Sequence, residues 1–203
     1  MPYRVVHMLL ASGLTVAFLA AGVSALRWLA GDRRRGNFLT LRTGLTLGAI
    51  LIPLQILAGD LHGLNTLEHQ PQKVAAMEGN WETGSRVPLL LFALPDEEAR
   101  ENRFELGIPA GASLILTHHI DGVVPGLNDF VAEDGTNLHP PVAPVFFAFR
   151  IMVGVGLAML AVSWVGAWMM WRRREINRPL AYLLVPMALS GWVATLARWD
   201  TTE

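Results

Sequence analysis

The sequence predicts an all-α integral membrane protein, with four transmembrane helices and one large outer loop between the second and the third. Three observations predict it. The 203 residues are 52% hydrophobic yet 16% charged, and the apolar residues fall into long blocks, unlike those of an ordinary soluble domain. The blocks approach or exceed the length needed to cross a bilayer. Basic residues concentrate in two of the short connections between them.

The first block, Met8 to Leu26, contains no charged residue, nor does the second, Thr43 to Gly59. The third, Ala143 to Trp171, contains only Arg150, and the fourth, Leu180 to Ala197, contains none. A helix rises about 1.5 Å per residue and the hydrocarbon layer is about 30 Å thick, so about 20 residues cross it. All four blocks are of spanning length, or close to it for Thr43 to Gly59. The first is not a signal peptide: no basic segment precedes it, no small-residue cleavage site closes it, and a basic cluster follows it.

Charge orients the bundle. Arg27, Arg33, Arg34, Arg35 and Arg42 follow the first block, and Arg172, Arg173, Arg174 and Arg178 follow the third. The positive-inside rule makes both connections cytoplasmic. The segment 60–142 carries 13 acids against Lys73, Arg86, Arg100 and Arg103, so it faces outward, as does the N-terminus. Its length marks a functional insertion. Within it Gln72 to Trp81 reads as a helix ended by Gly79, and Pro95 to Glu98 as a helix start with acids in its first turn. Arg103 to Ile108 and Leu114 to Thr117 read as short strands, and Asp121-Gly122 as a turn. No basic patch suits nucleic acid.

The chain has no cysteine, which excludes thioether-linked haem, iron–sulfur clusters, thiolate zinc sites and disulfides. Any cofactor must be held by His, Met or carboxylate. Five of the six histidines fall in the outer loop and His7 alone falls at a span, which makes His7 the candidate haem ligand. Met152, at a similar depth in the third span, is a candidate thioether partner; the bland alternatives are a helix-end histidine and a core-filling methionine. Arg150 is the only charge within the first three spans, a costly placement that marks function, although a snorkelling arginine is its plain alternative. Two residues away from Met152, it points to nearly the opposite side of the helix. It could reach round a haem edge or pair with a quinone or an acid.

The stretch Gly59 to Thr83, GDLHGLNTLEHQPQKVAAMEGNWET, with its GD and QP-x-K-x-A-A-M-E-G-x-W pattern, resembles the quinol-binding loop of subunit I of the cytochrome bd quinol oxidases, most closely the cyanide-insensitive branch. VVHMLLASG at residues 5–13, PVAPVFFAFRIMVG at 141–154 and the final ATLARWDTTE extend the likeness. The resemblance implies that His7 and Met152 are the axial ligands of a low-spin b-type haem, with Arg150 associated with it. It implies that Lys73 and Glu78 bind quinol in the loop 60–142, with Asp60 near the same site. A carboxylate can take a quinol proton while an ammonium hydrogen-bonds the head-group oxygen; the plain alternative is an ordinary solvated helix. It also implies a bacterial inner membrane, lipid surroundings and an oxidase subunit II as partner.

The chain matches less than half of the family's subunit. Four helices, bearing another haem-ligating His and proton-path acids, precede the position of His7 in the family, and a GRQPW-like segment with one more helix follows Glu203. Glu203 matches a ligand of a high-spin haem, but ARWDTTE replaces the family's AGW-x-TTE, placing Arg198 and Asp200 beside it. The expectation is therefore at most one haem in this chain alone and no oxygen reduction by it. Further haems b and d would require the missing segments to be supplied. The rival readings are an inactive fragment that needs other fragments and a non-redox membrane anchor.

Overall fold

The computed structural model describes residues 2–173 and 175–202; the candidate ligand Glu203 lies outside the described residues. The long elements are helices α1 (Pro2–Leu29), α2 (Arg35–His69) and α5 (Val142–Arg172), and a fourth span divided into α6 (Arg178–Met187) and α7 (Ser190–Thr202). Among the described residues, four stretches are long and apolar enough to cross a membrane: Tyr3–Leu29, Arg35–His69, Val142–Arg172 and Arg178–Trp199. The predicted spans are all present.

Two of them differ from the expectation. Helix α2 does not end at Gly59 but runs to His69, so Asp60, His62 and His69 stand on a helix. Its 35 residues make it about 52 Å long, well beyond the hydrocarbon thickness. The polar composition after Gly59 marks loss of apolar surroundings, not loss of helix. The fourth span breaks because Pro186 lies inside α6 and cannot donate a backbone bond. The interruption is closed by local bonds, Ala188 N to Val185 O at 3.2 Å and Leu189 N to Pro186 O at 3.1 Å.

The chain divides into two compact units. The first comprises residues 1–59 and 151–197 and holds the membrane helices. Its buried core joins Ala21, Leu41, Leu45, Met170, Leu180 and Leu184, and a second cluster joins Leu14, Phe18, Ile52 and Met159. Small residues let the helices approach, as in other membrane bundles. A Cβ on Gly44 would lie 2.7 Å from the Ala17 carbonyl oxygen, so α1 and α2 touch there through backbone. Near the basic turn the buried Asn37 amide donates to the Ser24 carbonyl at 3.1 Å, and Arg33 stacks over Trp28 at 3.8 Å.

The second unit comprises residues 60–150 and 198–203. It contains helix α3 (Pro71–Glu78), strands β1 (Gly84–Ser85), β2 (Leu89–Asp96) and β3 (Glu101–Ile108), helix α4 (Gly111–Thr117) and strand β4 (Val123–Val124). Strand β1 pairs with β4 and β2 with β3, both antiparallel. The β2–β3 register runs from Leu89 opposite Ile108 to Asp96 opposite Glu101, with two shifts.

The loop expectations divide. Helix α3, its Gly79 terminator, strand β3 and the turn at Asp121 are present. Pro95 to Glu98 is not a helix start: it closes the β2–β3 hairpin. Asp96 accepts from the Ala99 and Glu98 amides at 3.0 and 3.2 Å, and Arg103 draws its other oxygen across the hairpin at 2.6 Å. These bonds hold the Asp96 carboxyl below the usual carboxylate range, the Ala99 amide contributing most. Leu114 to Thr117 is not a strand but the end of α4. The Val87 carbonyl accepts from the Ala112 and Ser113 amides and the Ser113 hydroxyl accepts from the Val87 amide at 2.9 Å, which pins the helix start against the preceding segment. A short apolar run does not by itself distinguish strand from helix. His118 and His119 follow α4, with His118 at its C-cap in the left-handed region.

Candidate functional site

The end of helix α3 is built by its sequence. Pro71 opens the helix, where a missing amide costs nothing. Gly79 closes it at φ +66, with the Gly79 amide donating to Ala76 and the Asn80 amide to Ala75, the paired bonds of a Schellman cap. The cap is tight: a Cβ on Gly79 would meet the Phe146 ring at 2.9 Å. Gly79→Ala is therefore expected to lower stability by about 2 kcal/mol or more, from left-handed strain plus the clash, measurable as a fall in thermal midpoint.

Glu78, the last residue of α3, is 5% exposed. Arg150 reaches it from α5, with Nη2 3.3 Å from the carboxylate. The same guanidinium donates to the Met77 carbonyl, to the Glu78 carbonyl at 3.4 Å and to the Leu90 carbonyl at 2.7 and 3.0 Å. The last carbonyls of a helix lack partners within it and carry the negative end of its dipole, so a cation suits this position. Arg150 also lies 3.8 Å from the Phe146 ring centroid. Of its predicted partners, the structure provides the acid. Burial pushes the Glu78 carboxyl above its ordinary value, and the neighbouring Arg150 only partly opposes that rise.

A cavity of about 390 Å³ adjoins this group, lined among others by Glu78, Trp81, Leu90, Arg100, Asn102 and Glu105. Lys73 is half-buried in the first turn of α3, about 140° round the helix from Glu78 at about 100° per residue. Asp60 faces His118, whose Nε2 is 3.8 Å from its carboxylate. In the membrane unit His7 Nε2 lies 3.0 Å from the Gln55 amide nitrogen, and Met152 is half-buried on α5.

The family described as cytochrome bd terminal oxidase subunit I matches residues 1–203. The chain belongs to that family. Among its relatives, the cytochrome bd ubiquinol oxidase subunit 1 of Bacillus subtilis (strain 168) is 30% identical, the match covering 97% of this chain and 44% of the relative. The cytochrome bd-II ubiquinol oxidase subunit 1 of Escherichia coli (strain K12) is 26% identical over 98% of this chain and 51% of its own length. The solved bd oxidase from Geobacillus thermodenitrificans superposes with a TM-score of 0.88 at 32% identity, covering 99% of this chain and 46% of that one. This chain spans about half the length of the relatives it matches.

A cytochrome family implies haem, and the residues present fit one. An amide NH2 only donates, so with the Gln55 nitrogen facing it His7 Nε2 accepts, and iron would have to displace that amide to take the same lone pair. The Gln55 oxygen is buried without a hydrogen-bond partner among the described atoms. Gly59 leaves the ring in ordinary contact, its missing Cβ falling 3.4 Å from His7 Cε1. One turn beyond Met152, on the same face of α5, Gly156 has nothing within 4 Å of a Cβ position, so that flank is open. Among the described residues no group of three or more His, Cys, Asp or Glu could hold a metal ion.

Sequence reasoning missed Gln55 and Asn102. Gln55 had a signal, being a polar residue within an apolar span. Asn102 had only its low strand propensity.

Proposed function

We propose that the chain is the quinol-oxidising, haem b-binding portion of a cytochrome bd-type quinol:oxygen oxidoreductase of the bacterial inner membrane. The burial of Glu78 beside Arg150 at a cavity wall carries the reading. Oxidation of a quinol releases two protons and two electrons. Glu78, with its raised affinity for protons, accepts a hydroxyl proton; Lys73, on another face of α3 and outside the cavity lining, enters the reading through the QP-x-K-x-A-A-M-E-G pattern alone. Arg150 holds the acceptor in place through the end of α3. Asp60, paired with His118, passes protons outward. His7 and Met152 hold the b-type haem near the outer face. Held by these two residues, that haem would supply electron transfer. Oxygen reduction, further haems b and d, oxidase subunit II and the remainder of subunit I belong to the assembly in which this portion works.

A reduced-minus-oxidised spectrum of membranes carrying the chain tests the reading. Low-spin b-type bands are expected, and His7→Ala is expected to abolish them. A wild-type sample without haem bands would leave the membrane-anchor reading, and bands retained in His7→Ala would overturn the ligand assignment.

A further inference from the structure

Three consecutive carbonyls at the end of α3 are held by side chains remote in sequence. Arg150 takes those of Met77 and Glu78, and Asn102, in strand β3, takes that of Gly79 at 2.8 Å. The orientation of the Asn102 amide follows from its other neighbour. The Trp81 indole nitrogen lies 3.0 Å from Asn102 Oδ1 and can only donate, so the oxygen faces Trp81 and the NH2 group faces Gly79. That NH2 group also donates to Glu105 at 2.9 Å. Trp81, Asn102 and Glu105 line the same cavity as Glu78, and 390 Å³ is within the range that small-molecule pockets occupy. Asparagine is a poor strand former, and here two of its three side-chain bonds run to the helix cap and the residue beyond it, Gly79 and Trp81.

We propose that Asn102 is a positioning residue of the quinol site: by fixing the Gly79 carbonyl and the Trp81 indole, it completes with Arg150 the clamp that sets the direction of Glu78 at the cavity. The inference rests on the quinol reading above. Arg150 fixes the carbonyls that precede the cap glycine and Asn102 that of the glycine itself. Without Asn102 the peptide after the left-handed glycine keeps its amide bond to Ala75 but loses the donor to its carbonyl, and the carboxylate approach to a bound head group is less firmly set.

The test uses the intact oxidase containing this chain and its companion subunits, with a short-chain ubiquinol as substrate. Asn102→Asp keeps the acceptor for Trp81 and replaces the donor by a carboxylate oxygen facing Gly79 and Glu105. Its kcat/KM is expected to fall about tenfold, the scale of one well-made hydrogen bond, with the haem spectrum unchanged. The acid limb of the pH–rate profile is expected to move to higher pH, because a new negative charge beside Glu78 disfavours its ionised form. Adding Asn102→Asp to Glu78→Gln is expected to cost nothing further, since the two residues act as a unit. A wild-type kcat/KM and pH profile in Asn102→Asp, or losses that multiply in the double variant, would overturn the proposal. If Asn102→Asp fails to assemble, Asn102→Ser serves, with the fall in kcat/KM and its absence on a Glu78→Gln background as the same criteria. Unaltered quinol oxidation in Glu78→Gln overturns the site itself; slow oxidation there with normal Asn102 variants overturns the Asn102 role alone.

Discussion

Replacing Glu78 by Gln is expected to slow quinol oxidation by about 100-fold while leaving the haem spectrum intact, because the amide keeps the size of the side chain and removes its capacity to accept a proton. The carboxylate is buried and its affinity for protons is raised by that burial despite Arg150. A group whose acid form is favoured by folding adds stability below its ordinary pKa, and loses that contribution as pH rises through the raised value. The wild-type loop should therefore weaken toward alkaline pH, and Glu78→Gln should remove this part of the pH dependence. Quinol-linked haem reduction at the wild-type rate in Glu78→Gln, followed by stopped-flow absorbance, would show that another group takes the proton.

Arg150→Met is expected to destabilise the second unit by about 3–5 kcal/mol at neutral or alkaline pH. The substitution preserves an apolar stem but strips the Met77, Glu78 and Leu90 carbonyls of their donor and leaves a buried carboxylate without its cation. In acid the loss should shrink, since a protonated Glu78 needs no counter-charge. The double variant Arg150→Met with Glu78→Gln should recover part of the stability. Limited proteolysis of the solubilised protein across residues 79–101 reads the effect; equal resistance of wild type and Arg150→Met would mean that the guanidinium holds nothing there.

What the sequence made legible follows the range of the interactions. The spans follow from composition alone, and the end of α3 follows from Pro71 and Gly79, which act on their own neighbours. Leu114 to Thr117 was misread because Val87, 26 residues before Ser113, pins that helix. Pro95 to Glu98 was misread because Arg103 folds back onto Asp96, turning a helix-start signal into a hairpin turn. Glu78 and Arg150 were each singled out from motif and placement, yet their pairing spans 72 residues, and no local pattern carries that information. Asn102 was invisible for the same reason, since Gly79 and Trp81 become its neighbours only when the hairpin closes on the helix; Glu105, three residues along β3, is its one local partner.

The division of the fourth span into α6 and α7 bears on bilayer thickness. A single straight helix meets a thicker or thinner hydrocarbon layer only by tilting as a whole or by deforming the lipid, at fractions of a kcal/mol per ångström. Two shorter segments joined at residues 188–189 can change their mutual angle and so alter their combined reach. The joint already closes its own backbone bonds, so bending there exposes little to lipid. Ala188 lies against α1, where a Cβ on Gly22 would come within 2.6 Å, which places the joint at a packed contact.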